Sequence, residues 1–439
     1  MDRHARQLIL LLAPGLGVLG TGGCDRPVAD AVPRVEVERP ETIARNVGLT
    51  SNVVRRAMRA SPLPPPPADP TNRVADDPRA AALGETLFFD SGFSADGTVS
   101  CATCHQPELR FTDGLARSEG IGTAARHSPS LVDAAHQRWF NWDGRSDSMW
   151  AHAIRPIEHP DEMGGDRTAM ARHLLADPEL RTAYEEIFGR TDLEPASLPP
   201  RARPEGDASA KNAWNDLDDH TRFEIDRVAA NVGKALASYQ RTLSGGNTRF
   251  DRWIEDVGSG GDGRSILDPA ERRGMELFFG KAECWECHAG PLFSDGEFHN
   301  IGTPVAGGLP RDPGRYDGAA LVVEDSFNAA GLHSDDPDGD RGIVSLGVKR
   351  DPSQWGAFRT PSLRGVGRTP PYMHDGSMPD LETVVRFYST LEGAIQLDHH
   401  QESVLSVLDL EEAEMADLVA FLRTLDGGLP GADNQPVGR

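Results

Sequence analysis

The chain's 439 residues are enough for two or three domains with buried cores, and a hydrophobic content of 38% fits globular folding. A formal charge of −23 excludes non-specific nucleic-acid binding, which needs clustered positive charge to displace counterions from phosphate. The same acidity suits a basic electron-carrier partner, and it equally suits plain solubility.

At the start, Arg3 and Arg6 precede an apolar run, Leu8 to Leu19, that is short for a membrane span and well formed for a secretion signal over residues 1–24. Thr21-Gly22-Gly23 before Cys24 resembles a relaxed lipoprotein cleavage site, so a lipid tether on Cys24 and a free cysteine stay as alternatives. Residues 25–76, with the run Pro64 to Pro67, predict an extended tether. Order is predicted from Asp77-Pro78, an aspartate cap and a first-turn proline opening a helix that ends in Gly84-Glu85-Thr86-Leu87-Phe88-Phe89.

The motif Cys101-Ala102-Thr103-Cys104-His105 follows. Two thiols at this spacing can form thioethers with both vinyl groups of one haem, and the adjacent histidine can ligate its iron. A single copy is also compatible with a redox pair or half a zinc site. The second copy, Cys284-Trp285-Glu286-Cys287-His288, favours covalent haem and leaves Cys24 as the fifth and last cysteine, with no partner for a disulfide.

Residues 190–215, rich in Pro, Ala, Asp and Arg, predict a surface insertion. Ile225, Val228, Val232, Leu236, Tyr239 and Leu243 recur at helical spacing behind a Thr221/Glu224 capping box, and predict a core helix. Asp268-Pro269-Ala270-Glu271 then opens a helix running into Gly274-Met275-Glu276-Leu277-Phe278-Phe279, which repeats the earlier phrase. Phe293-Ser294-Asp295-Gly296 repeats Phe111-Thr112-Asp113-Gly114.

The prediction is a mainly α fold of two cytochrome c-like domains related by internal duplication, each with one covalent haem c. Residues 77–222 and 223–426 are the expected domains, with 427–439 as a tail. Asp335 to Asp340 lacks the glycine and closing glutamate of a calcium loop and predicts a solvated acidic loop. Asp409 to Leu425 predicts the last helix.

Trp142-Asp143-Gly144-Arg145, Pro156, Glu162-Met163-Gly164, Phe298-His299-Asn300-Ile301-Gly302, Arg359-Thr360-Pro361-Ser362-Leu363-Arg364 and Pro371-Tyr372-Met373-His374-Asp375-Gly376 together resemble the bacterial diheme cytochrome c peroxidases and their relative MauG. The resemblance implies a periplasmic two-domain enzyme. Its N-terminal haem would bind hydrogen peroxide, its C-terminal haem would transfer electrons, and a calcium ion would lie between them. It also implies Glu162 as the acid/base group, Trp142 between the haems, and His105 and His288 as proximal iron ligands.

Departures from the family pattern carry as much weight. His152 stands where the family has glutamine; an acid/base role, an iron-ligand role and a non-catalytic hydrogen-bonding role stay open. The histidine that blocks the first haem in reductively activated peroxidases has no counterpart between Gln106 and Arg126, which predicts an open pocket, with His127 a weaker candidate blocker. His127 replaces an asparagine of the calcium site, whereas Thr369 and Pro371 match positions that bind calcium through carbonyls.

Tyr388 stands where peroxidases place a methionine ligand of the second haem and where MauG likewise has tyrosine; Met373 is its rival. A phenolate stabilises oxidised iron better than a thioether does. Three functions follow: oxidation of a Trp or Tyr in a partner protein, peroxide detoxification with electrons from a small cytochrome or cupredoxin, and pure electron transfer. Relatives often form homodimers.

Overall fold

The computed structural model describes residues 39–304, 312–395 and 405–428; the signal region with Cys24 and the tail beyond residue 428 lie outside these. The fold is mainly helical, as expected. Its α-helices are α1 (Pro40–Val47), α2 (Ser51–Arg59), α3 (Pro78–Phe89), α4 (Cys101–Cys104), α5 (Met149–Glu158), α6 (Arg167–Ala176), α7 (Pro178–Phe188) and α8 (Ala208–Asn215). They continue as α9 (Asp219–Gln240), α10 (Arg249–Gly258), α11 (Pro269–Phe279), α12 (Arg315–Glu324), α13 (Asp340–Gly347), α14 (Leu381–Thr390) and α15 (Glu412–Leu422). Two short strands, β1 (Phe298–His299) and β2 (Phe358–Arg359), pair antiparallel. Among the described residues no helix is long and apolar enough to cross a membrane.

Buried side chains fall into two clusters. One is built on α3, α5, α6 and α9, the other on α1, α2, α10, α11, α14 and α15. Asp77 caps α3 through the Arg79 amide at 2.8 Å, and Asp268 with Glu271 forms a capping box on α11 with both bonds at 2.9 Å. The box expected at Thr221 and Glu224 is replaced. Asp218 caps α9 through the Thr221 amide at 2.9 Å, because its carboxylate lies one turn earlier, and Glu224 pairs with Arg227.

Two glycines set the closest helix crossings. A Cβ on Gly84 would lie 2.0 Å from the Ala235 carbonyl oxygen of α9, and one on Gly274 would lie 1.9 Å from that of Asp417 in α15. Both obstacles are backbone, which cannot rotate away. Gly274→Ala is therefore expected to destabilise the protein by about 1–3 kcal/mol. Denaturant unfolding checks this against an alanine placed on an exposed helix position.

The stretch expected as an extended tether contains α1 and α2. Ile43, Ala44 and Val47, then Val53, Val54 and Ala57, bury one face of each helix in the second cluster. The prolines further on masked this spacing in the composition of residues 25–76. A buried polar network fixes the end of the segment: Ser61 Oγ donates to Asp251 at 2.6 Å, and Arg364 pairs with Asp251 at 2.8 Å and donates to the Ala60 carbonyl at 3.3 Å. Burial alone would raise the Asp251 carboxyl, but Arg364 holds it down at about 2.

The expected boundary at 222/223 falls inside α9, whose buried face belongs to the first cluster. Residues 190–215 are also partly packed. Thr168 Oγ1 donates to the Ala202 carbonyl at 2.6 Å, and Trp214 is buried under Arg167. In the acidic loop, Asp335 accepts from Lys234 at 2.7 Å and from the Arg73 amide at 2.8 Å, so it is paired rather than merely solvated.

Candidate active site

No disulfide joins the cysteines of either Cys-x-x-Cys-His segment. Burial pushes the Cys101 and Cys284 thiols up to about 12, opposite to the lowered pKa of a reactive redox thiol. His105 Nδ1 lies 2.9 Å from the Phe111 carbonyl oxygen, and His288 Nδ1 lies 2.8 Å from that of Phe293. A carbonyl only accepts, so each Nδ1 carries the proton and each Nε2 keeps a lone pair for a metal. Phe111 and Phe293 both adopt the left-handed backbone, at φ 58° and 52°, at these carbonyl-presenting turns.

A cavity of about 290 Å³ is lined by Cys284, Cys287, His288, Tyr388, Met373 and Arg359. Arg359 is 5% exposed, and among the described residues its side chain reaches only carbonyls, of Thr360 at 3.2 Å and Asn141 at 3.5 Å. Burial without a carboxylate lowers its pKa to about 10. A buried cation with no anion fits a group that brings its own carboxylates, as haem brings propionates. Thiols outside any disulfide, an available imidazole lone pair and a guanidinium that meets no carboxylate among the described residues thus agree on haem.

A second cavity, of about 60 Å³, is lined by Cys101, Cys104, His105, His152 and Glu162. The structure therefore gathers the two distal candidates beside the first Cys-x-x-Cys-His turn. Glu162 stands on a turn gripped from outside: Ile121 donates to the Glu162 carbonyl at 2.8 Å and Gly122 to that of Asp161 at 2.9 Å. Gly120 permits this approach, since a Cβ there would lie 2.2 Å from the Glu162 oxygen. The loop without a histidine thus braces the acid/base candidate. Glu162 Oε1 lies 3.6 Å from His159 Nδ1, and the side chain is about one third exposed, at 35%.

Trp142 lines the larger cavity and is wired at both ends. Its Nε1 donates to the His127 carbonyl at 2.8 Å, and its own carbonyl accepts from the Arg359 amide at 2.8 Å. The neighbouring Asp143 pairs with Arg126 and Arg145, each at 2.7 Å; burial would raise its carboxyl, but the two guanidiniums hold it well below the ordinary carboxylate range.

His127 lines the larger cavity, with Nδ1 2.7 Å from the Leu115 carbonyl, while the adjacent Ser128 donates to the Cys104 carbonyl of the first Cys-x-x-Cys-His turn at 2.9 Å. Thr369 and Pro371 border the larger cavity too, and Pro371 follows the cis bond from Pro370. Because the His127 ring offers no oxygen, the calcium donor set falls to carbonyls.

Tyr388 and Met373 both face the larger cavity, the first from α14 and the second from a loop residue at φ 71°. Burial raises the Tyr388 hydroxyl pKa. Sequence reasoning passed over Asn141, which contacts His152, and Gly120. An asparagine before the Trp142 motif was the available signal for the first, since asparagine tolerates left-handed backbone.

Three comparisons bear on this arrangement. The family described as "Di-haem cytochrome c peroxidase" matches residues 78–258. The methylamine utilization protein MauG of Methylorubrum extorquens is 33% identical over 375 residues, covering 84% of this chain and 83% of that protein. The cytochrome-c peroxidase IdrP1 of Denitromonas iodatirespirans is 34% identical over 395 residues, covering 86% and 90%. In three dimensions the diheme peroxidase BthA from Burkholderia thailandensis superposes with a TM-score of 0.61 over 83% of this chain and 90% of that one, at 23% identity, a likeness of fold.

Proposed function

The chain belongs to the di-haem cytochrome c peroxidase family, and on that premise we infer that it uses hydrogen peroxide to oxidise a Trp or Tyr residue of a partner protein, as a MauG-like branch of these peroxidases. The observation that carries the inference is that Tyr388 and His288 line one cavity, while a smaller cavity is lined by Glu162 and His152.

Two haems, when bound, supply redox-active iron that accepts oxidising equivalents from peroxide. Cys101, Cys104 and His105 would hold one, Cys284, Cys287 and His288 the other, through thioethers and the free Nε2 atoms. Glu162 takes the proton from one peroxide oxygen and returns it to the other, so that the leaving oxygen departs as water. Trp142, fixed at its indole and its carbonyl, carries electrons between the sites. Tyr388 would hold the second haem, giving up its proton as it does so, and would favour oxidised iron there; it is favoured over Met373 because a helix positions it.

The balance is one peroxide and two protons reduced to two waters by two electrons from the partner residue. The matched crossings at Gly84 and Gly274 support a duplicated haem-binding unit. Export to the periplasm, with lipid on Cys24 as an option, follows from thioether attachment outside the bacterial cytoplasm.

Steady-state turnover with a reduced small cytochrome or cupredoxin is expected to be much slower than the first reaction with peroxide. Turnover as fast as that first reaction would assign the peroxide-detoxifying role instead.

A further inference from the structure

His152 poses a chemical problem: an imidazole inside a small pocket beside an iron site is a ready ligand, and a ligated iron cannot take peroxide. What surrounds the ring decides the matter. His152 lies in the first turn of α5, where its amide donates to the Ser148 carbonyl at 3.0 Å. Trp150, fully buried, fixes the rotation of α5. Its carbonyl lies 2.5 Å from where a Cβ on Gly233 of α9 would stand, and its Nε1 donates to Thr71 Oγ1 at 3.1 Å. His152, two residues or about 200° further round the helix, is thereby turned toward the smaller cavity, which it lines.

The ring plane is fixed as well. The imidazole stacks on Phe140, with centroids 5.9 Å apart and planes at 17°, and its Nδ1 lies 3.1 Å from Asn141 Nδ2. An amide nitrogen only donates, so Nδ1 is the acceptor and carries no proton. The one proton of the neutral ring then sits on Nε2. Burial, with His105, Arg155, Arg145 and Arg359 nearby, keeps the ring neutral, its pKa lowered to about 3.

Asn141 is itself held. It sits in the left-handed region at φ 65°; its carbonyl accepts from the Gly144 amide at 3.3 Å and from Arg359 Nε at 3.5 Å, and both neighbours are tied by backbone bonds. Its side chain faces the smaller cavity's histidine while its carbonyl faces the larger cavity's arginine.

We propose that Asn141 is a positioning residue that locks His152 as a neutral Nε2–H donor, so that His152 orients peroxide by a hydrogen bond and does not ligate the first haem's iron. Nδ1 is occupied, and a protonated Nε2 has no lone pair to give. The inference rests on the peroxidase function proposed above, but its primary readout is the spin state of the diferric protein, not turnover.

In Asn141→Asp the carboxylate accepts from Nδ1–H and moves the ring proton off Nε2, which exposes that lone pair. Electron paramagnetic resonance of the wild type, carrying both haems, should show a high-spin first haem. Asn141→Asp should convert it to the low-spin signature of two histidine ligands and slow the peroxide reaction by about 10²-fold or more. Adding His152→Ala to Asn141→Asp should restore the high-spin signal.

A first haem that stays high-spin in Asn141→Asp would overturn the proposal. So would a low-spin wild type that becomes high-spin in His152→Ala. If Asn141→Asp does not retain both haems, Asn141→Leu reads the same question: a mixture of spin states supports the lock, and an unchanged high-spin signal refutes it. A high-spin wild type inert toward peroxide would instead sink the peroxidase function, with the spin-state series still deciding the tautomer.

Discussion

Exchanging Glu162 for glutamine is expected to slow the reaction of the protein with peroxide by about 10²–10⁴-fold, or about 3–5 kcal/mol of barrier. Glutamine keeps the size of the side chain and the backbone contacts with Ile121 and Gly122 that hold the turn, but it cannot take a proton from one peroxide oxygen and return it to the other. Partial exposure of Glu162 lets the carboxylate exchange protons with water between turnovers. Stopped-flow mixing should therefore show unchanged haem spectra before peroxide and a much smaller rate constant afterwards. A loss below tenfold would move the proton transfer elsewhere, with His152 the next group in the same cavity.

Tyr388→Met should change the second haem's spectrum and raise its reduction potential. The expected shift is on the order of 0.1 V, a modest part of the roughly 0.8 V over which axial ligands tune haem iron. A thioether supports ferrous iron where a phenolate supports ferric iron, so the variant should lose its hold on oxidising equivalents and gain speed with a reduced cytochrome. Because Met373 borders the same cavity, an unchanged spectrum in Tyr388→Met would transfer the ligand role to Met373. Loss of the wild-type spectrum in Met373→Leu would then complete that transfer.

The two candidate haem-binding segments were legible because covalent attachment demands a contiguous five-residue motif, and the α3 and α11 starts because capping is local. Glu162 and His152 were picked out as candidates through family spacing, and both line the smaller cavity. The helices at 40–59 were not legible: their apolar faces are short, and the prolines after them dominate the local composition. The contact between Asn141 and His152 was hidden for another reason. Eleven residues separate the two, and only the left-handed turn at Asn141 and the rotation of α5 bring the amide to the ring. Arg359 stood within a recognised motif, but that it meets no carboxylate among the described residues is a fact of packing.

On the proposed function the first pocket is open, and the pair of sites holds oxidising equivalents without an external donor. Peroxide added to the fully oxidised protein, followed by rapid-scan absorption, tests it most directly. The expected result is prompt formation of a long-lived oxidised spectrum involving both haems, with no prior reduction. Reaction only after one haem has been reduced would contradict it.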